Sequence, residues 1–132
     1  MIVLTILVLV CWSLAAVCNA VMDVLAFKYK RSIFNKLDPD FWNPSRSWRN
    51  KYKDQEEPKG PKFFGSTTFL VFTTDAWHLF QFLCNSFIIL SICIIINHFT
   101  DLSWWIYLII FAGLKTVWGV MFEWFYAKIF RS

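Results

Sequence analysis

No lysine, arginine, aspartate or glutamate occurs in the first 22 residues, and none again from Leu79 to Asn97. An uncharged stretch of about 20 residues is what an α-helix needs to cross the hydrocarbon core of a bilayer. Proline is just as confined: Pro39, Pro44, Pro58 and Pro61 all fall in one central segment. From Ser66 to Asn97 neither proline nor glycine is present, so no breaker interrupts a helix there. Also missing are a glycine-rich phosphate loop, an HExxH pair, a GxSxG elbow and a CxxC pair. Their absence removes the sequence signatures of P-loop, zinc-peptidase, serine-hydrolase and dithiol chemistry. No internal repeat of the kind that builds many secondary transporters is found. Cys11, Cys18, Cys84 and Cys93 lie singly in apolar runs and read as small hydrophobes.

What is present points to lipid as the solvent. Hydrophobic residues make up 58% of the 132 and charged ones 17%, against roughly 45–50% and about 25% in soluble domains. The expected fold class is therefore an all-α integral membrane protein, a single domain over 1–132 with three transmembrane helices at about 2–22, 78–97 and 102–122. The first run lacks the basic n-region of a secretory signal peptide, since nothing basic precedes Lys28, and reads as a retained span. The second helix is expected to begin near residue 66. There Gly65-Ser66-Thr67-Thr68 supplies a breaker followed by N-cap hydroxyls. Continuous to Asn97, it would measure about 48 Å and extend out of the hydrocarbon. The short turn His98-Phe99-Thr100-Asp101 makes the second and third helices antiparallel neighbours. Trp104, Trp105 and Tyr107 at one end, and Trp118, Trp124 and Tyr126 at the other, fit interfacial aromatic belts.

Charge sets the direction. The net charge is +4, and of 13 basic residues ten lie between the first and second spans, from Lys28 to Lys62. Lys128 and Arg131 follow the third span, while the N-terminus and the 98–101 turn hold none. The positive-inside rule then gives an N-out, C-in topology with a long basic cytoplasmic loop over 24–65. Asn43 as cap and Pro44 as first helical residue predict a short interfacial helix in that loop. Trp48, Arg49, Lys51 and the in-span Lys115 are candidate ligands for anionic lipid headgroups. No nucleic-acid-binding motif accompanies the basic residues.

Each span also carries a polar or small stripe at helical spacing: Ser13, Ala16, Asn19, Ala20 and Asp23; Asp75, His78, Gln81 and Asn85; Ala112, Lys115, Thr116, Gly119 and Glu123. Polar residues in lipid face one another, so the stripes are expected to meet inside a bundle, with the charges gathered at the inner leaflet. Asp23, Asp75, His78 and Glu123 are the candidate ligands for a divalent metal. Asp75 and His78, at i and i+3, are the candidate catalytic pair of a metal-dependent or lipid-phosphate enzyme. Against this stands a structural reading, in which these residues end helices and meet headgroups. The primary expectation is a small polytopic protein of a bacterial-type inner or plasma membrane that associates with itself or with a larger membrane partner. The three-span, N-out layout also resembles that of one class of phage hole-forming lysis proteins, which implies pore formation; the long Trp-rich loop departs from the short connections of that class.

Overall fold

The computed structural model describes residues 2–125, with only the backbone of Glu123. Tyr126, Lys128 and Arg131, expected beyond the third span, lie outside the described residues. Three long helices hold the apolar sequence: α1 (Ile2–Lys28), α4 (Ala76–Phe99) and α5 (Trp104–Trp124). Between α1 and α4 lie two short helices, α2 (Pro39–Trp42) and α3 (Pro44–Ser47), among single 3-10 turns. Among the described residues no strand occurs, and one isolated antiparallel bridge pairs Tyr52 with Pro61. The long helices have 27, 24 and 21 residues, so they measure roughly 40, 36 and 32 Å. Each exceeds the roughly 30 Å of bilayer hydrocarbon. All three are long and apolar enough to cross a membrane.

The second helix opens at Ala76, not near residue 66, and the 48 Å rod is not formed. The cause is local competition for hydrogen bonds. The Ser66 hydroxyl, fully buried, donates to the Lys51 carbonyl at 2.7 Å instead of capping a helix. Thr73 and Thr74 turn their hydroxyls back onto the Leu70 and Val71 carbonyls at 2.8 and 2.7 Å, the alternative bonding that disfavours helix at such residues. Gly65 has φ +84°, and a Cβ there would come within 2.8 Å of the Phe69 ring. A tight turn therefore precedes the helix, and α4 is about 12 Å shorter than the rod expected from residue 66.

The chain divides into two compact units: the start of α1 with everything from Asn85 onward, and Leu14–Cys84. The second unit is organised by caps, one amide and stacked rings. Asp38 and Asn43 each accept the N–H two residues on, at 3.0 and 3.1 Å, and Pro39 and Pro44 occupy the first helical positions. Asn50 donates its side-chain amide to the Asp40 carbonyl and, at 3.2 Å, to that of Thr74. Trp42 stacks on Phe34 with centroids 5.0 Å apart and planes 3° apart, and meets Phe80 of α4 at 6.0 Å. Phe72 stacks on Phe82 at 4.1 Å. Residues 51–62 double back as a hairpin, with Lys62 N–H on the Lys51 carbonyl and Lys53 N–H on that of Gly60.

Trp42, with Phe72, is thus a side chain that ties the connecting segment to α4. Trp42→Ala is expected to cost roughly 2–4 kcal/mol, below the penalty for a fully buried ring because Trp42 is half-exposed. Limited proteolysis in detergent should then cut between residues 29 and 75 well before the wild-type chain is cut.

Candidate functional site

Asp75 is 2% exposed, and both of its carboxylate oxygens are engaged by His78. Oδ1 accepts the His78 backbone N–H at 2.9 Å, and Oδ2 lies 2.6 Å from His78 Nδ1. A carboxylate can only accept, so Nδ1 donates in this bond. The backbone bond is that of an N-cap: Asp75 satisfies one of the donors that the first turn of a helix leaves open. The ring bond adds a second tie across the same turn. The local sequence dictates this, because an acid just before a helix finds the N–H three residues on.

Of the four residues considered as metal ligands, the structure brings Asp75 and His78 together. Asp23 is exposed on α1, and the Glu123 side chain lies outside the described residues. Among the described residues no three His, Cys, Asp or Glu side chains form a group that could hold a metal ion.

The stripes of α1 and α5 are largely exposed, while that of α4 is buried or half-buried. Along α1 the buried side chains are Cys11, Ala15, Cys18 and Leu25, a small apolar face, while Ser13, Ala16, Asn19, Ala20 and Asp23 are exposed. In α5, Ala112, Thr116 and Gly119 are exposed, and a Cβ at Gly113 or Gly119 would meet nothing within 4 Å. Leu114, Val117, Trp118 and Met121 of α5 instead line an apolar cleft of about 610 Å³ with Ile88 and Ile92 of α4. At 100° per residue this face lies opposite the small-residue stripe. Lys115, half-buried, places its ammonium 5.9 Å from the centre of the Phe111 ring.

Trp48, Arg49 and Lys51 share a 3-10 turn after α3 and belong to one aromatic and cationic platform. The Arg49 guanidinium lies 5.2 Å from the Trp48 ring, Lys51 lies 5.4 Å from that of Tyr52, and the two rings meet edge to face at 6.4 Å. Trp48 is 41% exposed. Other basic residues are consumed locally. Arg46 binds Asp40 at 2.5 Å, and Lys59 reaches Glu56 at 3.0 Å and Asp54 at 3.3 Å. Those two carboxylates hold the Lys59 ammonium above its usual pKa range, Glu56 contributing most.

Asn50 and Ser66, which organise the connecting segment, carry no motif. Their partners lie 10 to 24 residues away and become visible only in the folded chain. No family model, curated protein or solved structure matches the chain.

The cap assignment is directly testable. Asp75→Ala should lower stability by roughly 1–2 kcal/mol, while Asp75→Asn, which keeps an acceptor for the His78 N–H, should lose less. Thermal unfolding of the detergent-solubilised variants reads both.

Proposed function

We propose that this chain is a membrane assembly protein: three helices cross the bilayer and α5 offers a face to a helix of another chain. One observation carries the reading. None of the apolar window of α5 is buried within the chain, compared with 17% in α1 and in α4. The exposed stripe Ala112, Thr116 and Gly119 is of the kind that lets a neighbouring helix come close, and helix association in lipid depends on such packing. The partner is a second copy or a larger membrane protein. The segment between α1 and α4 lies on the cytoplasmic side with the C-terminus, and the N-terminus lies outside. Ten basic residues in that segment, and none in the 98–101 turn, support this orientation. In it the Trp48–Arg49–Lys51–Tyr52 platform rests at headgroup level, rings in the interface and cations toward phosphate. The membrane is a plasma or bacterial inner membrane, where the positive-inside bias operates.

The expected result for the full chain in mild detergent is a mass of two or more copies, or a copurifying partner. Gly119→Leu should shift that mass to the monomer, while Val117→Ile, on the opposite face of α5, should leave it unchanged. A wild-type chain that is strictly monomeric and carries no partner would refute the proposal.

One contact supports a second reading. A buried carboxylate 2.6 Å from Nδ1 fixes the tautomer of an imidazole and leaves Nε2 as the base, an arrangement used in general-base catalysis. In this reading His78 acts on a lipid phosphate, alone or with a divalent metal. His78→Gln then abolishes phospholipid turnover while leaving the melting temperature near that of wild type. Absence of any product from the wild-type protein sinks it.

A further inference from the structure

At the end of α1 the chain passes from apolar to cationic within one turn: Leu25, Ala26 and Phe27 are followed by Lys28, Lys30 and Arg31. The three cations line an open cleft of about 960 Å³ together with Asn43 and Ser45, which lie where α3 begins. The cleft is not a product of loose chain. Ser32 donates its hydroxyl to the Tyr29 carbonyl at 2.8 Å, and Asn35 its amide to that of Lys30 at 2.7 Å, so the turn bearing the cations is tied down by the residues that follow it. Asn43 Oδ1 is occupied by the Ser45 N–H, which leaves the Asn43 amide hydrogens and the Ser45 hydroxyl as donors.

Charge decides what such a cleft takes. Arg46 and Lys59 are neutralised by neighbouring acids, whereas Lys28, Lys30 and Arg31 form no ion pair among the described residues. No acidic side chain lines the cleft. The C-terminus of α1 contributes roughly half a negative charge, far less than three cations supply, so the field there is positive. The volume falls within the roughly 300–1,000 Å³ of small-molecule sites and is generous for a bare phosphate ion.

We infer that this cleft binds a phosphate ester, with Lys28, Lys30 and Arg31 holding the charge and Asn43 and Ser45 donating hydrogen bonds. Arg31 supplies the planar fork suited to phosphate oxygens. Phe27, 82% exposed beside the cleft, offers an apolar surface that suits the glycerol and first acyl carbons of an anionic phospholipid. A soluble phosphate compound offers the same phosphate chemistry without them. The lipid source rests on the membrane-spanning reading above; the phosphate site itself does not.

The test is native mass spectrometry of the full chain in nonionic detergent, titrated separately with phosphatidic acid, phosphatidylcholine and inorganic phosphate. Wild type should retain phosphatidic acid at least tenfold more strongly than phosphatidylcholine. The Lys28→Gln, Lys30→Gln, Arg31→Gln variant should lose that preference, and Lys53→Gln, Lys62→Gln, which removes charge elsewhere in the same segment, should keep it. Circular dichroism checks that the variants fold, and the single variant Arg31→Lys, which keeps the charge but loses the fork, should weaken retention several-fold. Inorganic phosphate retained as strongly as the lipid, and lost in the triple variant, would support the site with a soluble phosphate as its source. No selective retention by wild type, or equal loss in the Lys53, Lys62 variant, would overturn the inference. Monomeric mass in the same spectra speaks only against the assembly proposal, so the two failures are told apart.

Discussion

A peptide group in hydrocarbon has no water to bond, and each unsatisfied N–H or C=O there costs several kcal/mol. That constraint governs this chain from end to end. The uncharged runs satisfy their backbone internally as α1, α4 and α5, each long enough to reach across a bilayer. The segment between α1 and α4, polar and interrupted by proline, forms no long helix and ties its turns with side chains instead. Asp38, Asn43 and Asp75 accept N–H groups at helix starts, while Asn50 and Ser66 supply donors to carbonyls that no helix covers. The result is a tied cap of short turns, fixed to α4 by Trp42 and Phe80.

Side-chain partition then follows from which surfaces the chain can cover by itself. α1 buries a seam of cysteine and alanine, and leaves Asn19 and Asp23 exposed. α5 lines an open apolar cleft with α4 and leaves its small residues exposed. Lipid alone can solvate that outward face, but Ala112, Thr116 and Gly119 present far less surface to acyl chains than leucine would. Close contact with another helix recovers that missing packing. The assembly proposal thus follows from the solvent that explains the fold.

The spans were legible because the absence of charge over 20 residues is a local property that needs no partner to be read. The Asn43-Pro44 start was legible for the same reason: cap and first helical residue are adjacent in sequence. The start of α4 was not. Ser66 looks like a cap until its hydroxyl is found on a carbonyl fifteen residues earlier. The rotation of α1 and α5 was hidden too, since a polar stripe marks a face without saying what lies opposite it. Asp75 and His78 were rightly paired by their spacing, but the capping role of Asp75 needed the backbone N–H to be seen. The basic cleft was invisible because residues 28–31 and 43–45 meet only after the chain turns.

The central claim is that lipid surrounds the three helices and that the basic segment and the 98–101 turn lie on opposite sides of it. Single thiols introduced as Lys53→Cys and Thr100→Cys, in a chain whose four native cysteines are replaced by alanine, test this with an impermeant maleimide on intact cells. The account predicts labelling at position 100 from outside, and at position 53 only after the membrane is opened. Labelling of both positions in intact cells would contradict it.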